Sequence, residues 1–185
     1  MNSNIIVFRD RADRFSQILR GVGDRWDAPS PCVGWSVRDV ADHVLTTQRD
    51  FLAQHDLDLG PVPATDDLVQ RWEQHRAAAV AVLEGDGVAE REYDGYFGRT
   101  TLGDTIADFY GWDLVIHGWD IARATGQEWE LSDAEAASMG RTADGWGPAL
   151  YSEGVCGPAV AVPEDASAAD RLLGRLGRDP QWTPA

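Results

Sequence analysis

Apolar residues recur every three or four positions along most of this chain, the spacing that turns one face of an α-helix toward a core. Phe8, Ala12, Phe15, Leu19 and Val22 mark such a face and predict a helix over about residues 4 to 21, ending near Gly21 and Gly23. Four later segments open on Ser or Thr with an acid three residues on: Ser36 with Asp39, Thr101 with Asp104, Ser132 with Glu135, and Ser167 with Asp170. In that spacing the hydroxyl accepts from a free first-turn N–H while the acid reaches back, so each pair predicts a helix start. A further helix is expected from Thr65, where Asp66 and Asp67 favour the positive end of a helix dipole, through Trp72 and Val80 to Gly85.

The intervening segments carry turn chemistry. Pro29 and Pro31 mark one loop, and Gly60, Pro61 and Pro63 another. Glu90 to Arg99 is the one plausible strand region, a short hairpin around Asp94 and Gly95. Gly154 to Ala166 reads as an extended arm before a short last helix. The pattern as a whole predicts an all-α fold: an antiparallel four-helix bundle with a short hairpin or loop insertion and a C-terminal arm plus short helix. A length of 185 residues suits a single domain over 1–185.

The segment from Thr101 to about Thr125 departs from simple amphipathicity. Phe109, Tyr110, Trp112, Leu114, Val115, Ile116, Trp119 and Ile121 surround it on nearly every side, which marks a buried helix. At 100° per residue, Asp113, His117 and Asp120 fall within about 60° of one another, in a sector shared with Ile106 and flanked by Phe109 and Tyr110. A polar seam in a buried surface needs a cation, a hydrogen-bond partner or water, because an unpaired buried carboxylate costs several kcal/mol.

One divalent metal ion would satisfy the seam, since an Asp and a His at i and i+4 can point at one ion from consecutive turns. His43, at the border of the stripe Val37, Val40, Val44 and Phe51, is the natural third ligand. Spacing alone fits a local Asp–His hydrogen bond more often than a metal pair. Asp120 is a candidate outer partner or base, with a structural hydrogen bond as the competing reading. Nitrogen and oxygen ligands without thiolate suit zinc, nickel, iron(II) or manganese, with zinc leading. Asp39 is explained by its cap. His55 and His75 lie in polar surroundings and are expected at the surface. Trp72, Trp112 and Trp119 are expected in the core rather than around a ligand.

Composition narrows the partners. The 31 acidic and 16 basic residues give a formal net charge of -15, which repels phosphate backbones and anionic lipid, so neither nucleic acid nor a membrane is expected. Cys32 and Cys156 have no metal-ligand spacing and are too few for a disulfide framework, which fits reduced thiols in the cytoplasm. The apolar run Ile5 to Phe8 is too short for a signal peptide. Gly21-Val22-Gly23 lacks the third glycine of a nucleotide-binding loop, and Gly34-Trp35-Ser36 lacks the second glycine of a nucleophile elbow.

The stretch Trp26-Asp-Ala-Pro-Ser-Pro-Cys32 with Gly34-Trp-Ser-Val-Arg-Asp-Val40 and His43 resembles the opening of the DinB-like superfamily. Within it, the stretch resembles in particular the actinobacterial branch related to the N-terminal domain of mycothiol-dependent maleylpyruvate isomerase. Asp113-Leu-Val-Ile-His-Gly-Trp-Asp120 with Ala122-Arg-Ala-Thr-Gly126 matches a second signature of that branch, and so does the ending from Pro163 through Gly177-Arg-Asp-Pro180. The resemblance implies a divalent metal held by His43, Asp113 and His117. It also implies a transferase or isomerase that uses a small thiol such as mycothiol on a small-molecule substrate, with Asp120 or Arg123 orienting the ligand. Asp113 stands where relatives of the isomerase carry Glu, and the isomerase's additional C-terminal domain has no counterpart in this sequence. The rival expectations are a thiol-independent metal-dependent lyase, hydrolase or cyclase, and a non-catalytic metal-binding protein. Either a monomer or a homodimer fits the sequence.

Overall fold

The first helix, α1 (Ser3–Arg20), forms where the periodic stripe begins: Asn2 caps it by accepting from the Asn4 N–H, and Ile5, Phe8, Ala12, Phe15 and Leu19 are buried. The computed structural model describes residues 2–152 and 154–184. Helix α2 (Val37–Gln54) starts on the full reciprocal cap, with the Ser36 hydroxyl on the Asp39 N–H and the Asp39 carboxylate on the Ser36 N–H. Helix α3 (Leu68–Leu83) begins three residues later than the sequence reading places it. Asp67 is the capping residue, accepting from the N–H groups of Val69 and Gln70, while the Thr65 hydroxyl is spent on the Asp67 N–H in the preceding turn.

Strands β1 (Glu92–Gly95) and β2 (Gly98–Thr101) form an antiparallel hairpin with Gly95 opposite Gly98, so its turn falls at Tyr96 and Phe97 and the expected turn residues Asp94 and Gly95 lie within β1. The long helix expected from Thr101 forms in three pieces: α4 (Leu102–Thr105), a π turn (Ile106–Tyr110) and α5 (Gly111–Thr125). In the π turn the Gly111 N–H reaches back five residues to the Ile106 carbonyl, which inserts one extra residue and breaks the register across it. Ile106 therefore does not share a sector with Asp113: it lies fully buried in the main core. Helix α6 (Asp133–Trp146) and helix α7 (Ala168–Arg175) both start on their Ser caps, and a 3-10 turn (Gly147–Tyr151) follows α6.

The chain is mostly helical. Helix α1 packs against α3 and α5, and α2 packs against the same two helices. Helix α5 is apolar all round because it separates two apolar clusters. Leu114, Ile121 and Ala122 face the cluster built with α1, α2 and α3, whereas Trp112, Val115, Ile116 and Trp119 face one built with α6 and α7. Gly118 admits the Trp129 ring against α5 where a Cβ would collide with it. No helix among the described residues is long and apolar enough to cross a membrane.

His75 is a correction to the sequence reading. It is 6% exposed, its ring lies 5.7 Å from that of Trp72, and its Nε2 meets Gln48 Oε1 at 3.0 Å. The partner lies on α2, so no local pattern around His75 announces it. Half-buried His55 packs on Phe51 and Tyr93. Burial, reinforced by Arg49, pushes the His75 pKa down to about 4. Between about pH 6.5 and 4 the unfolded chain binds a proton that the folded chain refuses, so stability falls as pH drops through this window. In urea titrations, the stability of the wild type relative to His75→Gln is expected to fall by roughly 3 kcal/mol from pH 7 to pH 4. A pH-independent difference would refute this origin.

Candidate metal centre

Helices α2 and α5 pack together and bring His43 against the Asp113–His117 pair. Potential ligand atoms of the three residues all lie within 4.8 Å of one another. His117 Nε2 is 3.3 Å from Asp113 Oδ1, and His43 Nε2 is 4.0 Å from Asp113 Oδ2. Ligands about 2.1 Å from a tetrahedral ion stand about 3.4 Å apart, so these separations match a shared ion with small side-chain adjustment. The His117 side chain keeps 7% of its exposure, Asp113 24% and His43 30%, a gradient from the core to an open face.

His117 is oriented from behind. Its Nδ1 meets Asp120 Oδ2 at 2.9 Å, which directs Nε2 toward Asp113 and His43. A carboxylate behind a ligand histidine fixes the ring and raises its basicity. Asp120 is completely buried, and Arg178 compensates it with Nη2 2.9 Å from Oδ2 and Nε 3.3 Å from Oδ1. The Cys32 thiol donates to the same carboxylate over 3.2 Å. Burial opposes the charge on Asp120, but Arg178 and His117 outweigh it and hold the carboxyl far below its ordinary range. Burial likewise opposes charge on His117, yet Asp113 and Asp120 raise its pKa well above the ordinary value. His43 lacks such support and is lowered by burial, with Asp113 the opposing influence.

A second grouping, Cys32, His117 and Asp120, is also close enough to share an ion. It is the poorer cation site because the Arg178 guanidinium already occupies both Asp120 oxygens and lies 3.5 Å from the Cys32 sulfur. His43, Asp113 and His117 offer two imidazole nitrogens and a carboxylate beside a cavity of about 680 Å³, a donor set that fits a divalent ion with positions left for ligand.

The structure brings His43, Asp113, His117 and Asp120 together and leaves Arg123 apart. Arg123 is exposed, lies over the Trp119 ring and donates to the Pro180 carbonyl, so it ties α5 to the C-terminal tail. The residues that sequence reasoning left without a role are Arg178, Cys32, Trp35 and Cys156, all lining the cavity. Trp35 covers both histidines, with ring centroids 4.9 Å from His43 and 6.4 Å from His117. Gly34, at φ +82°, makes the turn that presents it. The only sequence signal for Cys32, Trp35 and Arg178 lies in the Cys32 to Ser36 and Gly177 to Pro180 stretches, which carry no local chemistry of their own, and Cys156 has none.

Fold and site thus define a helical protein with a candidate two-histidine, one-aspartate metal centre at the wall of a cavity. Residues 8–122 match the mycothiol maleylpyruvate isomerase N-terminal domain family, and the chain belongs to that family. It is similar to two uncharacterized proteins of Mycobacterium tuberculosis, from strains CDC 1551 and H37Rv. Each is 26% identical over 175 residues, covering 90% of this chain and 92% of the relative. No solved structure matches the chain significantly.

Proposed function

We propose that the chain is a divalent-metal-dependent transferase or isomerase of four-helix-bundle type that acts with a small thiol such as mycothiol. The observation that carries this reading is the meeting of His43, Asp113 and His117 at the wall of an open cavity, supported by family membership. When bound, the ion would supply Lewis acidity that lowers the pKa of a coordinated thiol, with zinc the best match to the donor set. His43 and His117 would hold it through Nε2 and Asp113 through its carboxylate. Asp120 retains the proton on His117 Nδ1, and Arg178 keeps Asp120 ionised. Trp35 packs its ring beside both imidazoles. The cavity beside the three side chains supports a ligand-accepting site over a sealed structural one.

Cobalt substitution tests this. The protein should take up one cobalt per chain, and mycothiol should alter the visible spectrum with a new sulfur-to-cobalt charge-transfer band. Failure to hold stoichiometric cobalt would sink the metal centre. Stoichiometric cobalt with a spectrum indifferent to millimolar mycothiol would remove the thiol, and turnover without thiol would then favour a lyase, hydrolase or cyclase.

A further inference from the structure

A second cavity, about 780 Å³, lies across a wall made by Phe109, Tyr110 and Trp146, which line the metal cavity as well. Two local features build it. The β1–β2 turn carries Phe97 out to the end of α6, where its ring stacks on Trp146 with centroids 4.8 Å apart and planes 15° apart. The π turn supplies Phe109, whose centroid is 6.0 Å from Phe97 and 5.8 Å from Trp146. Three ring systems thus bound one end of the cavity.

Its charged lining is mainly acidic: Asp94, Asp104 and Asp108 against Arg99. Arg99 is already spent on Glu92, at 2.6 Å, and Asp94, at 3.7 Å. His55 also lines the cavity, but burial and Arg91 lower its pKa, so it adds no positive charge at neutral pH. Asp104 is satisfied by Asn4 and Thr101. Asp108 differs: among the described residues its side chain accepts no hydrogen bond, and its neighbour Arg11 donates to the Ala107 carbonyl and faces Glu135. Asp108 is exposed at the cavity, where partial burial and Asp104 push its carboxyl upward and Arg11 opposes them. Aromatic faces present negative quadrupoles that attract cations, and a carboxylate that accepts no hydrogen bond from the protein strengthens that preference. Both features repel an anion.

We infer that the hairpin cavity is a binding site for a ring-bearing organic cation, a protonated or quaternary arylalkylamine. Its shared wall with the metal cavity makes it the subsite for the amine-bearing end of the small-molecule substrate that the thiol acts on. The assignment to that substrate rests on the proposed function, whereas the cation preference rests on the cavity alone.

The test is an NMR titration that follows the Trp146 indole N–H, with benzyltrimethylammonium, benzyl alcohol and phenylacetate as probes and metal content measured on the same sample. The cation is expected to bind at least about tenfold more tightly than either control, and Asp108→Asn and Phe97→Leu should each weaken it by roughly 3- to 10-fold. Both substituted residues are at least partly exposed, so folding should survive. Equal affinity for the three probes, or unchanged cation affinity in both variants, overturns the inference. Cation preference in protein that holds no stoichiometric metal supports the cavity while removing the metal reading. Stoichiometric metal with no cation preference overturns the cavity and leaves the metal reading intact.

Discussion

Arg178→Leu is expected to lose about 3 to 5 kcal/mol of folding stability, the cost of leaving a buried carboxylate without its cation. Asp120 has no solvent exposure and cannot recruit water, and Arg178 reaches both of its oxygens while itself only 13% exposed. The remaining neighbours, His117 and Cys32, cannot replace a bidentate guanidinium. Leucine fills part of the vacated space, so most of the loss is electrostatic. Urea unfolding at neutral pH measures it, and adding Asp120→Asn should recover a large share because the stranded charge is then gone. A single-variant loss under about 1 kcal/mol would show that the pair is solvated rather than buried. The acid response has a definite sign. Asp120 has a depressed folded-state pKa, so its contribution is complete above the unfolded value near 3.9 and is lost as pH falls toward the folded value. The wild type should show that acid-side loss and the double variant should not.

The Asp120–Arg178 pair also shows where sequence reasoning stops. Helix starts were legible because capping is a local event: Ser36, Thr101, Ser132 and Ser167 each accept from the N–H three residues on. The Asp113–His117–Asp120 seam was legible because all three lie on α5 after the π turn, where 100° per residue holds. The π turn itself has no residue signature, so the placement of Ile106, Phe109 and Tyr110 relative to the seam was not accessible. Contacts between distant segments were equally hidden. Arg178 reaches Asp120 across 58 positions and His75 meets Gln48 across 27, and neither sequence neighbourhood announces its partner. Arg123 shows the reverse case. The resemblance offered it as a residue that orients the ligand, and its side chain runs to Pro180.

Asp113→Ala should separate a metal ligand from a member of a structural ion pair. Asp113 is 24% exposed, and without metal it is held ionised mainly by His117 and His43, which are themselves affected by its loss. For a partly exposed cluster of this kind the metal-free cost of the substitution is modest, about 1 kcal/mol. Metal changes the comparison, because an ion that binds only the folded state stabilises it by about 4 kcal/mol when free zinc is 1,000 times its dissociation constant. Removing one of three ligands should weaken binding at least about 100-fold, beyond the 10- to 100-fold typical of losing an outer partner. The same zinc concentration then stands only about 10-fold above the new dissociation constant, and the stabilisation falls to about 1.4 kcal/mol. Paired urea titrations with and without zinc should therefore give a large zinc-dependent shift in the wild type and roughly a third of it in Asp113→Ala. Equal shifts would place the ion elsewhere, since a purely structural Asp113 lowers both curves and leaves their separation unchanged.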